Sequence, residues 1–238
     1  MTANAQVQRV SIIIPVYNER DTIAEVIRRV RQVDLGSMEK EIIVSDDGST
    51  DGTRDILEQL SREQPGWFTL DKSPINYGKG SAVRVGMSIA TGEVVIIQDA
   101  DLELDPNEYT RLLEPILQGK ADVVYGSRFL KSTGRVPRKS LMANRFLTGF
   151  TNLLFRGRLT DMETAYKAFR RTVLQKLRLR CVGFDFEPEF TARVLSAGYR
   201  ILEVPITYIP RTSGEGKKIR TVDGFDALIT LLRCRFWR

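Results

Sequence analysis

Asp99, Asp101 and Glu103 follow directly on the apolar run EVVIIQ at residues 93–98. In an extended segment side chains at i and i+2 share a face, so this spacing predicts that Asp99 and Asp101 converge with Glu103 nearby. Unneutralised, such a cluster repels itself and weakens the fold. Oxygen-only ligands select hard divalent ions, and Mg²⁺ takes one or two carboxylates together with substrate phosphates. The expected cofactor is therefore Mg²⁺ or Mn²⁺. A competing reading, that these acids are turn and cap residues, suffices for Asp105, which with Pro106 reads as a helix start. Two other apolar runs end in polar residues, one in Pro15-Val16-Tyr17-Asn18-Glu19 and one in Asp46-Asp47-Gly48-Ser49.

The cations are set apart from these acids. Arg128, Arg135, Arg138, Lys139, Arg211, Lys217 and Lys218 fall in loops or at element boundaries. A divalent ion plus guanidinium groups is a usual apparatus for holding a diphosphate and stabilising its departure; a solvated basic surface is the alternative. Asn76-Tyr77-Gly78-Lys79-Gly80 has the look of a phosphate loop but lacks the glycine spacing of a P-loop. The chain has no histidine, which excludes Ser-His-Asp triads, histidine general bases and histidine-ligated zinc.

The elements that must position these residues are legible from pattern. The chain has 238 residues, 42% hydrophobic and 28% charged, with 36 basic against 30 acidic side chains for a net charge of +6. That is the composition of a soluble globular protein of one large domain. Apolar runs at 10–15, 41–45, 68–70, 93–98 and 121–125 read as strands. They alternate with amphipathic helices opened by Asp21-Thr22, Thr50-Asp51, about Ser81, and Asp105-Pro106. Such alternation implies βαβ units and a mostly parallel, doubly wound sheet with helices on both faces. Beyond residue 130 the pattern is less regular: helices at 139–155, 188–197 and 222–234, a short strand at 166–169, and a strand at 199–208 that Pro205 confines to an edge or bulge. In open α/β sheets ligands bind beyond the carboxyl ends of the strands, where the acids lie. No apolar run approaches the ~20 residues of a membrane span, and residues 1–10 show no secretory signal. Cys181 and Cys234 lack metal-ligand spacing and suggest a reducing compartment. The excess charge is modest and the aromatics lie mostly in apolar runs, which argues against a nucleic-acid partner.

The ordered motifs PVYNE, SDDGSTDGT, NYGKGSA, QDADLELDP and GSR, continued by FDFEPEF, GYRILEVPITY and PRTSGEGKK, resemble the family 2 glycosyltransferases. They are most similar to the branch of dolichyl-phosphate mannose synthases and polyprenyl-phosphate glucosyltransferases, over nearly the whole of residues 10–236. The resemblance implies a single merged domain of GT-A type: a nucleotide-sugar-binding half over about 10–130, an acceptor half over about 131–220, and a C-terminal amphipathic helix over 221–238 that associates with membranes. It implies that Pro15, Tyr17 and Glu19 contact the nucleotide, Asp46 or Asp47 reads the base, and Lys79 and Asp99 lie on the same nucleotide. It implies metal ligation by Asp99, Asp101 and Glu103, although the family often has Gln where Glu103 stands. It implies a catalytic set of Asp101, Arg128, Arg211 and Asp161: Arg128 and Arg211 resemble arginines that hold phosphates, Arg138 or Lys139 supplies a further cation, and Asp161 precedes the acceptor segment. There Thr164-Ala165-Tyr166 replaces the family's Ser-Gly-Phe. Asp185 and Glu187 lie near where hydroxyl-directed relatives keep a base, or are helix-start acids that favour the macrodipole.

The activity this implies is metal-dependent, inverting transfer of a hexose from UDP-glucose or GDP-mannose, with a lean toward UDP-glucose, to a polyprenyl or dolichyl phosphate. The partners are then the nucleotide sugar, the lipid phosphate and a membrane surface, with a homo-oligomer open, and the place is the cytosolic face of a membrane. A sugar hydroxyl wants a general base, whereas a lipid phosphate is already anionic and wants cations. A saccharide-hydroxyl acceptor and a non-catalytic nucleotide-binding protein stay as alternatives. The C-terminal residues Phe225, Leu228, Ile229 and Leu232, with Arg233, Arg235, Phe236, Trp237 and Arg238, fit a basic interfacial segment or a helix that packs on the domain.

Overall fold

The computed structural model describes residues 7–130, 138–210 and 221–237. Strands β1 (Arg9–Val16), β2 (Glu39–Asp46), β3 (Thr69–Lys72), β4 (Val94–Ile97), β5 (Val123–Ser127), β6 (Lys167–Arg170) and β7 (Ile201–Pro205) form one seven-stranded sheet in the order β3-β2-β1-β4-β6-β5-β7. The helices are α1 (Ile23–Gln32), α2 (Thr53–Glu63), α3 (Lys79–Ile89), α4 (Tyr109–Leu117), α5 (Arg138–Phe155), α6 (Phe186–Ser196) and α7 (Thr221–Phe236). Strand β6 runs antiparallel to both neighbours, and the other strand pairs are parallel. The mostly parallel sheet read from the alternation is what forms.

The run of three isoleucines in β1 explains the layering. Successive strand side chains point to opposite faces, and a strand covered on both faces needs apolar residues throughout. Ile12 and Ile14 pack with Ile23, Val26, Ile27 and Val30 of α1 and with Leu112 and Leu113 of α4. Ile13 points the other way, to Val83 and Met87 of α3 and Phe186 and Phe190 of α6. A third apolar cluster joins Leu147 of α5, Ala192 of α6, and Ala227 and Leu231 of α7. Among the described residues no helix is long and apolar enough to cross a membrane. Strand β7 stands at the sheet edge, as Pro205 required.

Two helix starts differ from the sequence pattern. Thr22 stands at the N-cap of α1, but its hydroxyl donates to the Ala100 carbonyl at 2.8 Å and to Glu19 Oε2 at 3.0 Å instead of capping a first-turn amide. It thus ties the loop after β1 to the loop after β4. Helix α2 begins at Thr53, later than Thr50-Asp51, because Asp51 Oδ1 accepts hydrogen bonds from the Thr53 amide and hydroxyl. At Asp105 the cap is as expected, its carboxylate accepting from the Asn107 amide at 3.0 Å.

A close approach fixes Gly86. A Cβ on this α3 residue would lie 2.3 Å from Ile13 Cγ2 in the core. Gly86→Val should therefore cost about 1–3 kcal/mol by overpacking. Gly149 of α5 has nothing within 4 Å of such a Cβ, and Gly149→Ala should gain about 0.5–1 kcal/mol of helix propensity. Chemical denaturation of the two variants checks the opposite signs.

Candidate active site

The loops after β1 and β2 are latched together. The Asn18 amide donates to Ser49 Oγ at 3.0 Å, the Thr50 amide to Asn18 Oδ1 at 2.8 Å, and the Glu19 amide to Thr53 Oγ1 at 2.9 Å. Gly48 adopts φ +75°, and a Cβ there would lie 2.4 Å from the Ile75 carbonyl carbon, so only glycine lets the loop after β2 meet the loop after β3. Asp46 is buried and accepts from Arg54 Nε at 2.6 Å and from the Ser49 amide at 3.1 Å. Asp47, also buried, accepts from the Tyr77 amide at 2.9 Å and the Gly78 amide at 2.6 Å. Burial raises the Asp47 pKa, with Asp46 adding to the rise, against the lowering effect of those two amides. The two aspartates therefore build the loop, and with Ser45, Asp71, Ser73 and Tyr77 they wall a cavity of ≈ 170 Å³. Pro15 is buried inside β1 opposite Ser45, whereas Tyr17 and Glu19 are half-buried beyond the strand end.

The end of β4 is governed by Gln98. Fully buried, its Oε1 accepts from the hydroxyls of Tyr109 at 2.7 Å and Tyr166 at 2.8 Å, and its Nε2 donates to the Asp99 carbonyl at 3.1 Å. Asp99 Oδ1 then meets Lys79 Nζ at 2.8 Å, and the same ammonium reaches Glu187 Oε1 at 2.9 Å. Burial alone would lower the Lys79 pKa, but the two carboxylates outweigh it and raise it.

The segment after β4 is not extended, which removes the alternation on which the expected convergence of Asp99, Asp101 and Glu103 rested. The strand stops at Ile97 and the backbone bends, with Asp101 Oδ1 accepting from the Glu103 amide at 3.1 Å. Glu103 Oε2 accepts from the Tyr208 hydroxyl at 2.9 Å, so this carboxylate turns to the segment after β7. Among the described residues no three His, Cys, Asp or Glu side chains gather as a metal-ligand group. Asp99 and Asp101 nevertheless supply hard oxygen donors at a strand end, and Mg²⁺ needs only one or two protein carboxylates when phosphates complete its shell. The donor set fits such an ion with two protein ligands rather than three.

At the end of β5, Arg128 donates to Asp161 from Nε at 2.7 Å, Nη2 at 2.8 Å and its backbone amide at 3.1 Å. Asn144 of α5 donates to Asp161 Oδ1 at 2.7 Å. Asp161 is fully buried, and burial would raise its pKa, but Arg128 and Asn144 prevail and lower it. Asp161 is thus committed to Arg128 and Asn144, and it holds the Arg128 guanidinium in place. The guanidinium lies 5.3 Å from the Tyr208 ring centroid, which brings Arg128 beside the turn of Asp101 and Glu103.

Residues that sequence reasoning passed over complete the cleft. Lys167 is fully buried in β6, its ammonium donating to the carbonyls of Met162 and Thr164 and standing 4.6 Å from the Tyr125 ring centroid. Burial holds its pKa down to about 8. Glu163 stands in the chain between those two accepting carbonyls, in a turn that Lys167 clamps. Its signal was a charge, Lys167, set in the apolar run AYKAF. Glu187 is buried and paired with Lys79, whereas Asp185 accepts from the Gly183 amide at 2.8 Å and so ties its own turn. Arg135, Arg211, Lys217 and Lys218 lie outside the described residues, and Arg138 and Lys139 fall in the first turn of α5.

This fold recurs in known proteins. The family model for Glycosyl transferase family 2 matches residues 11–178. The chain is 32% identical to a polyprenol monophosphomannose synthase of Mycolicibacterium smegmatis, over 88% of this chain and 81% of that one. It is 31% identical to a dolichol-phosphate mannosyltransferase of Pyrococcus furiosus, over 96% of this chain and 64% of that longer one. A crystal structure of glucosyl-3-phosphoglycerate synthase from Mycobacterium tuberculosis, in complex with Mg²⁺ and uridine diphosphate, superposes with a TM-score of 0.72 at 22% identity, covering 96% of this chain and 79% of that one. That likeness assigns the architecture, the GT-A fold. The protein is a glycosyltransferase, and it belongs to glycosyl transferase family 2.

The Arg128–Asp161 pair carries a measurable consequence. Asp161→Ala strands a buried guanidinium and should cost about 3–5 kcal/mol. The double variant Asp161→Leu/Arg128→Met should recover most of that loss in chemical denaturation. A second consequence concerns pH. Burial and the Glu187 carboxylate push the Glu163 pKa up to about 7. The folded chain then keeps a proton that the unfolded chain releases near 4.5, so Glu163 makes stability fall as pH rises from about 4.5 to about 7. Thermal melts across that window should show a shallower fall in Glu163→Gln.

Proposed function

We propose that the chain transfers a hexose from a nucleoside diphosphate sugar to a polyprenyl phosphate, with inversion at the anomeric carbon. The observation that carries this reading is the state of the carboxylates at the cleft. Glu187 is held by the Lys79 ammonium at 2.9 Å and Asp185 by its own turn, so neither is poised as a base for a sugar hydroxyl. A phosphate acceptor is anionic at neutral pH and needs no proton removed. It needs cations that relieve its repulsion from the donor diphosphate, and Arg128 is fixed in place by a buried carboxylate at the end of β5. The names of the relatives, which act on polyprenol and dolichol phosphates, support the same acceptor class.

The roles follow from position. Tyr17 and Glu19 flank the nucleotide, with Asp46 and Asp47 shaping the loops against which it rests. Asp99 and Asp101 would hold Mg²⁺ or Mn²⁺, which supplies charge neutralisation at the leaving diphosphate. Lys79 keeps Asp99 oriented by bridging it to Glu187. Arg128 takes the acceptor phosphate, with Arg211 from the adjoining segment as a second cation. The lipid tail lies along a surface that the structure leaves apolar. Met142, Phe146 and Leu153 of α5 are exposed, as are Phe225, Ile229 and Phe236 of α7 and the following Trp237, with Arg233 and Arg235 in the last turn of α7. Such a basic, apolar-faced pair of helices suits the interface of an anionic leaflet. A saccharide-hydroxyl acceptor is the second reading, favoured by one observation: Glu163, with its proton affinity raised, is the described carboxyl best suited to act as a base.

Turnover tests the proposal. Purified protein with Mg²⁺ or Mn²⁺ should release nucleoside diphosphate from a UDP- or GDP-hexose only when a polyprenyl phosphate is present. Asp101→Ala should cut that release about 100-fold or more. Release that responds to a saccharide but not to the lipid phosphate would transfer the assignment to the hydroxyl reading.

A further inference from the structure

The turn that carries Glu163 is tied at almost every polar atom. Asp161 is held by Arg128 and Asn144; the Met162 amide donates to Thr148 Oγ1 at 3.1 Å; Lys167 takes the carbonyls of Met162 and Thr164; and Thr164 Oγ1 donates to the Gly126 carbonyl at 2.6 Å. Against this background Glu163 Oε1 is buried and has no hydrogen-bond partner. Buried polar atoms without partners are rare in folded proteins and call for a cause. A rigid turn that presents one unpartnered carboxyl oxygen is suited to a ligand that supplies the missing donor.

The surroundings select the ligand. The charged groups that act on the Glu163 carboxyl are Glu187, Lys167, Arg128 and Asp161. Glu187 leads through Lys79 to Asp99. Glu163 is thus within electrostatic reach of Glu187, which leads to the end of the cleft assigned to the leaving diphosphate, and of Arg128 at the end assigned to the acceptor phosphate. In an in-line displacement the group between leaving and attacking oxygens is the hexose. An anion is disfavoured beside Glu187 and Asp161, and a further cation is disfavoured where Lys79, Lys167 and Arg128 already stand. Neutral hydroxyl donors satisfy both conditions, and a carboxyl oxygen accepts from them in either protonation state.

We propose that Glu163 is a specificity-determining residue that binds hydroxyl groups of the donor hexose. The inference rests on the reading of this cleft as a nucleotide-sugar site and adds the residue that reads the sugar. A hydrogen bond to a charged group is worth about 1.5–3 kcal/mol, so its loss should weaken sugar binding about tenfold or more.

The test measures donor binding without acceptor, comparing UDP-glucose with UDP and GDP-mannose with GDP by calorimetry in the presence of Mn²⁺. In Glu163→Ala the affinity for the accepted nucleotide sugar should fall about tenfold while that for the bare diphosphate stays within about twofold. Glu163→Gln, which keeps an acceptor oxygen, should fall between Glu163→Ala and the parent. Donors lacking single hexose hydroxyls add a cycle: one deoxygenation should cost the parent protein affinity and cost Glu163→Ala almost none. Unchanged donor affinity in Glu163→Ala, with only turnover reduced, would overturn the proposal and make Glu163 a proton acceptor. Equal losses for sugar nucleotide and bare diphosphate would overturn it in favour of a structural role. Failure of the parent protein to bind either diphosphate would remove the underlying reading of the cleft, and the proposal with it.

Discussion

The placement of charge at the carboxyl ends of the strands governs this structure. Carboxylates gather where βαβ topology puts its loops, and they stay ionised in a partly dry cleft only if each meets a cation or several donors. The partners come from other elements. Lys79 at the start of α3 joins Asp99 after β4 to Glu187 of α6. Arg128 after β5 grips Asp161, which Asn144 ties to α5. The same contacts that neutralise the acids therefore fix the positions of α3, α5 and α6 around the cleft.

Such pairs are poor sources of stability. Taking two charges from water costs about as much as their attraction returns, and apolar residues of similar volume often do as well or better. The stability of this chain lies instead in the two apolar layers on either side of β1. The charge network makes physical sense where the cleft receives a ligand with its own phosphates, because a site already built of fixed dipoles and ions needs little rearrangement when new charge arrives. Gln98 shows the same economy with neutral groups: one buried amide, held by two tyrosine hydroxyls, fixes the carbonyl of the aspartate that begins the acidic turn.

How far all this was legible in the sequence depends on range. Ile12-Ile13-Ile14 announced a strand covered on both faces, Pro205 announced an edge, and Asp105-Pro106 announced a helix start; each rests on local backbone or side-chain physics. The strand-end loops with their acids and glycines were legible for the same reason. The convergence of Asp99, Asp101 and Glu103 was misread because alternation has meaning only while the chain is extended, and Asp101 bends it by accepting from the Glu103 amide. The hydroxyl of Thr22, taken by Ala100, and the carboxylate of Asp161, taken by Arg128, have partners 78 and 33 residues away. No local pattern encodes those choices. The buried Lys167 left a trace, a lone charge in an apolar strand, but its partners are carbonyls that only the folded turn brings together.

The absence of histidine gives the cleft its chemical character. A chain without imidazole has few groups that exchange protons near neutrality, and the described acids near this site are mostly committed: Asp99 and Glu187 to Lys79, Asp161 to Arg128, Glu103 to Tyr208. Fixed charge, more than mobile protons, is what these contacts supply. Transfer between two phosphates is a reaction of that kind, since leaving group and nucleophile are both anionic and neither needs a proton at the critical moment. In the proposed transfer the hexose between them is the neutral reactant, which hydrogen bonds rather than charge would recognise. A cleft that holds Lys79 and Arg128, with a buried carboxyl oxygen at Glu163 that has no partner among the described residues, would suit that sequence of anion, neutral ring and anion.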